Sequence, residues 1–198
     1  MSVRIRTTAP ARAATTRWDD TGSGDETAVK GRCQGGSDRL GPARAVRVST
    51  IRVASPVGPL YVTEEAGAIT CLTWKGAAQG PETSLLAEAR AQLDAYFTGT
   101  RREFDLPLRV SGSDFQRAVC DAMRAIPFGE TRTYGDIAAE LNASPQAVGQ
   151  ACGANPIPVI IPCHRVLGAA SLGGFSGAGG VDTKVALLRH EGAAGLLL

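Results

Sequence analysis

The residues with the most chemical promise lie close together near the C-terminus. Pro162-Cys163-His164-Arg165 sets a thiol beside two basic side chains, at the end of the apolar, proline-punctuated segment Asn155-Pro-Ile-Pro-Val-Ile-Ile-Pro162. A thiol held between rigid backbone and cationic neighbours has the setting that lowers a cysteine pKa and favours thiolate, the nucleophilic form. With the downstream acid Glu191 the set reads as nucleophile, base and orienting carboxylate. The Cys-His dipeptide alone carries little, because it occurs often by chance. Between the two lie Gly168, Gly173, Gly174, Gly177, Gly179 and Gly180, with Phe175-Ser176 among them. Backbone this rich in glycine can bring its N–H groups close to a ligand.

The elements that must position these groups follow from pattern. Val48-Ser-Thr-Ile-Arg-Val alternates with period two, Leu60-Tyr-Val-Thr is a second short strand and Ala68 to Trp74 a third, with Gly/Pro turns between them. Pro81-Glu-Thr-Ser opens a helix running to about Phe97, with Leu85, Leu86, Ala89, Leu93, Tyr96 and Phe97 on one stripe and Gly99 as the stop. Residues 48–108 therefore form a small α+β unit in which nothing carries obvious chemistry. Ser113-Asp-Phe-Gln116 has the capping-box spacing and opens a helix with Phe115, Val119, Ala122, Met123 and Ile126 inward. Thr133 caps a short helix from Tyr134 to Leu141. Ser144 and Pro145 open another that runs to about Ala154. Two short helices on a tight turn are the helix-turn-helix arrangement, though most such hairpins only pack. The second helix contains no charge and many small residues, including Ala147 and Gly149. That is unsuited to reading base edges in the major groove and suited to close approach to a phosphate backbone or minor groove. Asp182 is expected to cap a last helix with Val185 and Leu188 inward.

Composition bounds the partners only weakly. The chain has 198 residues, 43% of them hydrophobic, and a formal net charge of +2. No apolar run approaches the ~18–20 residues of a membrane span, so no membrane partner is expected. The first 48 residues hold nine Lys/Arg against five acids, and the remaining 150 hold 12 against 14. Residues 1–47 show no apolar periodicity and read as a disordered extension. They also lack the apolar stretch of a secretory signal. Five cysteines without CxxC spacing and two histidines offer no metal site, and they argue for reduced thiols in a cytoplasmic setting.

The whole string is specific where the dipeptide is not. Asn155-Pro156, Pro162-Cys163-His164-Arg165, Gly174-Phe175-Ser176-Gly177 and Leu187-Leu188-Arg189-His190-Glu191-Gly192, with Phe115-Gln116 and Phe128-Gly129-Glu130 upstream, closely resemble the O6-alkylguanine-DNA alkyltransferases, the methylated-DNA–protein-cysteine methyltransferases. The resemblance covers about residues 48–192. It implies an α+β protein: a small N-terminal antiparallel-sheet and helix domain (48–108), then a mostly helical alkyltransferase domain (110–192) with a helix-turn-helix of the winged-helix kind, and a tail at 193–198. It implies alkylated double-stranded DNA as partner, a monomer, and no cofactor or metal. The reaction would be stoichiometric transfer of an alkyl group from O6-alkylguanine, with O4-alkylthymine as a second candidate. Cys163 would be the acceptor and would be spent after one turnover. His164 would take the thiol proton through a water held by Glu191, and Asn155 would stabilise the surrounding turn. The lesion base would be flipped into a pocket. There Tyr134 would press on the neighbouring phosphate and donate to the guanine, while backbone groups of Cys163, Val166 and Ser176 recognised the base edge. Ala147, Gly149, Gln146 and Arg165 complete the DNA-facing set. Arg165 has an equally weighted alternative, holding the active-site loop.

Two departures stand out. The family usually carries an arginine that fills the gap left by the extruded base, and Gln146 stands at that position. It lacks the guanidinium's charge and stacking face. Phe175 stands where many relatives have tyrosine. With the basic excess outside the DNA-binding part, binding would rest on a few contacts such as Arg117, Arg132 and Arg165, with a shallow salt dependence. Three competing readings are a lesion-binding protein without transfer, a cysteine hydrolase and a transcription factor. The retained cysteine, the lack of an evident oxyanion hole and the lack of a second DNA-binding module argue against them in turn.

Overall fold

The computed structural model describes residues 47–193; the expected extension and the end of the expected tail lie outside them. Three strands, β1 (Val48–Val53), β2 (Leu60–Glu65) and β3 (Ala68–Thr73), form an antiparallel meander in the order β1-β2-β3. Val53 pairs with Leu60 and Glu65 with Ala68, so residues 54–59 connect the first pair of strands and a tight turn at Ala66-Gly67 the second, and a bulge at Thr63/Glu64 shifts the β2–β3 register. Helix α1 (Ser84–Phe97) begins at Thr83, whose hydroxyl accepts from the Leu86 amide, and buries Leu86, Ala89, Leu93 and Tyr96. Leu85 and Phe97, expected on the same stripe, are half-buried at its edges.

Helix α2 (Asp114–Arg124) starts where the spacing predicts, but only half of the capping box forms. The Ser113 hydroxyl accepts from the Gln116 amide at 3.1 Å, while the Gln116 side chain turns away and donates to the Ala151 carbonyl at 2.9 Å. Gln116 thereby ties α2 to the second helix of the helix-turn-helix. The reciprocal capping box occurs instead at Thr133/Asp136, at the head of α3 (Tyr134–Glu140). Asn142 makes the turn at φ +51°, a left-handed conformation that Asn tolerates. Ser144 then caps α4 (Pro145–Gly153), with Pro145 in the first helical turn.

Two very short strands do much of the positioning. β4 (Arg132–Thr133) runs parallel to β5 (Val166–Leu167), pairing Arg132 with Val166 and Thr133 with Leu167. Tyr134 follows directly on β4, and a 3₁₀ turn, Cys163–Arg165, leads directly into β5. This ladder therefore brings the start of the helix-turn-helix beside the thiol segment. The last helix, α5 (Val181–His190), is not capped by Asp182: Gly180 is the N-cap, and Asp182 sits exposed in the first turn, favourable there for the helix dipole. Its buried face is Thr183, Lys184, Leu187 and Leu188, with the expected Val185 only half-buried.

The sheet unit and the helical part share one apolar cluster, from Val62, Leu72 and Leu93 to Val119, Met123, Ile157 and Ile161. A backbone link crosses between the parts, the Leu72 amide donating to the Pro156 carbonyl at 2.9 Å, while the Ile69–Leu108 bridge ties the end of the sheet unit back onto β3. Among the described residues, no helix is long and apolar enough to cross a membrane.

Candidate active site

The segment that delivers Cys163 is buried almost throughout, from Asn155 to Val166. Its backbone cannot pair with a neighbouring strand along its whole length, because prolines interrupt it. Asn155 compensates: its amide donates to the Ile161 carbonyl at 2.8 Å and its carbonyl accepts from the Ile157 amide at 3.0 Å. The Ile161 amide closes the loop on the Ile157 carbonyl at 2.8 Å. Within this clasp Val159 adopts φ +73°, a conformation a β-branched residue avoids and keeps only where its surroundings over-determine it. Asn155 thus clasps the turn, and the turn is under strain.

Beyond it the charged groups converge on one carboxylate. Glu191, buried at the C-terminal end of α5, accepts at Oε1 from the Tyr96 hydroxyl (2.7 Å), His164 Nε2 (2.8 Å) and Arg165 Nη2 (2.9 Å). At Oε2 it accepts from Arg165 Nε (2.8 Å) and the Gly129 amide (3.3 Å). Burial alone would raise the Glu191 carboxyl, but the donations from His164 and Arg165 overcome it and hold the group well below the usual carboxylate range. Gly129 sits at φ +81°, and a Cβ there would stand 2.9 Å from the Glu191 carbonyl, so only glycine lets this amide approach. Arg165 also donates to the Ile126 carbonyl at 2.6 Å and is buried. Of the two roles weighed for it, the geometry is that of holding the loop.

His164 is fully enclosed. Burial disfavours its charged form and lowers its pKa, against the pull of Glu191. With Nε2–H directed at an ionised carboxylate, Nδ1 keeps a lone pair. Nδ1 is also the one buried side-chain polar atom among the described residues without a hydrogen-bond partner. The site therefore contains a neutral imidazole with a free acceptor, the form a proton acceptor needs.

Cys163 departs from the thiolate expected from its neighbours. Burial pushes its thiol up to about 11, while the Asn155 amide and the Lys184 ammonium pull it part of the way back. The neighbouring Arg165 charge is committed to Glu191 and His164 is neutral, which is why adjacency in sequence does not translate into thiolate stabilisation. The thiol must shed its proton to a base as it reacts.

Lys184 escaped the sequence reading. It is fully buried on α5, donates to the Val166 carbonyl at 2.6 Å and the Gly174 carbonyl at 3.3 Å, and lies 6.0 Å from the centre of the Tyr134 ring. Burial lowers its pKa, and its ammonium ties β5 to the glycine-rich loop. The available signal was a lysine on the inward stripe of a helix, where a buried ammonium must have partners. Tyr96 escaped too, because its phenol passes for one more core aromatic on α1.

Tyr134 is half-buried, and burial raises its pKa, so its hydroxyl stays protonated and can donate. Its ring lies between α4 and the glycine loop. A Cβ at Gly149 would be 4.0 Å from it, whereas one at Gly173, at φ +67°, would collide with it at 2.8 Å. Gly173 makes room for the tyrosine, whereas a methyl group at position 149 would sit in ordinary van der Waals contact with it. On α4, Gln146 is exposed, and Ala147 is half-buried with its amide capped by Ser144. Val166 is buried and its carbonyl serves Lys184, which leaves a second lone pair. Ser176 is exposed on the loop after Phe175, whose ring meets Trp74 edge-on at 5.9 Å. Arg132 pairs with Glu140 at 2.7 Å and Arg117 with Asp114, so both are partly committed within the chain. Cys120 and Cys152 are buried free thiols, like Cys163, and His190 Nε2 donates to the Tyr96 carbonyl. Among the described residues no cluster of ligating side chains could hold a metal ion.

Residues 114–193 match the model of the 6-O-methylguanine DNA methyltransferase DNA-binding domain, and residues 48–110 match the model of that enzyme's ribonuclease-like domain. The chain belongs to the 6-O-methylguanine DNA methyltransferase family. Relatives within the family include the methylated-DNA–protein-cysteine methyltransferase of Mycobacterium leprae, 43% identical over 147 residues that span 69% of this chain and 88% of the relative. The constitutive enzyme of Bacillus subtilis is also 43% identical, over 69% of this chain and 91% of its own. Among solved methyltransferases of the family, the Mycobacterium tuberculosis O6-methylguanine methyltransferase superposes with a TM-score of 0.66 at 39% identity, covering 74% of this chain and 94% of that one. A structure of the M. tuberculosis protein in complex with DNA gives 0.63 at 41% identity, over 73% and 92%.

Two outcomes follow from the geometry. Glu191→Gln leaves Arg165 buried without its counter-charge and should cost about 3–5 kcal/mol in urea unfolding. Lys184→Met removes the cation that favours the Cys163 thiolate, so Cys163 should react several-fold more slowly with iodoacetamide at pH 8, read by intact mass on the folded protein.

Proposed function

We propose that this protein repairs DNA directly, by transferring the alkyl group of O6-alkylguanine to Cys163 in a single, irreversible turnover. The observation that carries the assignment is the Glu191–His164 pair beside a buried cysteine, within a chain of the methyltransferase family. Glu191 holds the imidazole in one tautomer, and the free Nδ1 lone pair accepts the thiol proton, by way of a water on the family's pattern. Sulfur then attacks the alkyl carbon. The S–C bond forms as the C–O6 bond breaks, the electron pair returns to the guanine, and a ring nitrogen takes up a proton to give the normal base. The protonated Tyr134 hydroxyl supports that step as a donor. Because the product is a thioether, no base-catalysed route restores the thiol. The damaged DNA supplies the alkyl group, so the reaction draws on no cofactor.

The buried acceptor requires a flipped nucleotide. The helix-turn-helix of α3 and α4, with the β4–β5 ladder beside it, supports docking of the winged-helix kind, with the small residues Ala147 and Gly149 admitting close approach and Gln146 entering the duplex. Second lone pairs on the Cys163 and Val166 carbonyls and the exposed Ser176 amide suit the base edge. The resemblance to the family implies action as a monomer.

Incubation with a duplex oligonucleotide containing O6-methylguanine should add one methyl per protein, and Cys163→Ala should add none. Repeated turnover, or no change in intact mass, would overturn the assignment. Gln146→Arg should transfer several-fold faster from duplex DNA than the parent while leaving the rate with free O6-methylguanine unchanged, since an arginine better fills the gap left by the base. An equal or slower duplex rate would remove Gln146 from that role.

A further inference from the structure

Tyr96 belongs to the sheet unit, where no chemistry was expected, yet its hydroxyl reaches the active-site carboxylate. We propose that Tyr96 is a positioning residue for the Glu191–His164 pair, so that the N-terminal unit completes the proton-accepting site of the C-terminal one. The inference rests on the reading of His164 as the proton acceptor.

The ring of Tyr96 is fully buried among Phe97, Phe104, Phe128 and His190, with centroids 4.9–6.1 Å away. Phenylalanine would fill that cluster equally well. A hydroxyl placed there is costly unless it is paired, and its partner is Glu191 Oε1 at 2.7 Å, across 95 residues of sequence. The backbone at the same position is also engaged, since the Tyr96 carbonyl meets His190 Nε2 at 2.7 Å. Residue 96 therefore grips both the last residue of α5 and the carboxylate that follows it.

The hydroxyl acts on the same oxygen that accepts from His164. Arg165 spans both carboxylate oxygens and fixes the plane of the group, while Gly129 adds a donor to Oε2. Tyr96 adds one to Oε1 from a third direction, so the carboxylate cannot slide along the guanidinium. It also draws electron density from Oε1 and tempers the pull of that oxygen on the imidazole. The charged and titratable groups facing His164 are Cys163 and Arg165 of its own turn, Lys184 from α5, Glu191 just beyond that helix, and, through Glu191, Tyr96 from α1. Without the hydroxyl, Oε1 becomes a stronger acceptor, the imidazolium is better stabilised, and His164 is protonated at higher pH. A protonated His164 cannot take the thiol proton, so the acid limb of the transfer rate moves upward.

The test is single-turnover methyl transfer from an O6-methylguanine duplex, followed across pH with the full chain. Tyr96→Phe should transfer about tenfold more slowly and shift the acid limb up by about half a pH unit, while Phe104→Leu, which disturbs the same ring cluster, should lower the melting temperature and leave the limb in place. Site-specific 3,5-difluorotyrosine at position 96, a stronger donor of nearly the same shape, should move the limb downward. This second variant decides the matter if Tyr96→Phe does not fold. A Tyr96→Phe rate and limb equal to the parent's, or a slower rate with an unmoved limb, overturns the proposal. His164→Gln distinguishes the two levels: if it is slow while Tyr96→Phe matches the parent, only the role of Tyr96 falls. If it transfers as fast as the parent, the His164 reading and this inference fall together.

Discussion

A single buried carboxylate organises this protein. Glu191 receives five donated hydrogen bonds from Tyr96, Gly129, His164 and Arg165, which belong to three different stretches of the chain. A carboxylate in an apolar interior is costly unless its charge is compensated and its lone pairs are filled. Here both conditions are met, and meeting them forces α1, the Phe128-Gly129 turn, the Cys163–Arg165 turn and the end of α5 to converge. The same contacts that make the burial tolerable orient His164. Folding and proton transfer thus depend on one group.

This convergence explains why the basic residues next to Cys163 do not make it a standing thiolate. Arg165 neutralises Glu191, and His164 stays neutral because its enclosure disfavours charge. The reactive sulfur is left to burial, Asn155 and Lys184. A buried thiol that becomes a nucleophile only when its proton is accepted suits a protein that can react once, since an exposed thiolate would be consumed by adventitious electrophiles.

The positioning devices are small and local. Two residue pairs in a parallel ladder set Tyr134 beside the cysteine turn. Asn155 clasps a proline-rich loop that holds Val159 in a left-handed conformation. Gly173 lets the glycine loop approach the Tyr134 ring, and buried Lys184 ties that loop to β5. The sheet unit contributes through Leu72, which bonds the Pro156 carbonyl, through Trp74 against Phe175, and through Tyr96. It is part of the site rather than an appendage.

Local chemistry in the sequence determined a good deal. Strand alternation, the Thr133 and Ser144 caps and the Pro145 start are governed by residues near in sequence, so β1–β3, α3 and α4 were legible within a residue or two. The string from Asn155 to Gly192 was long enough to name Cys163, His164, Asn155 and Glu191 as one constellation. What failed did so where distant groups compete. Gln116 abandoned its capping box for a carbonyl on α4, and Asp182 yielded the cap to Gly180. Lys184 and Tyr96 were invisible because an inward lysine and a core tyrosine acquire meaning only from partners many residues away. Residue types and spacing determine which groups are available; only tertiary packing decides which of them meet a buried charge, because the cost of leaving that charge uncompensated is borne by the whole fold.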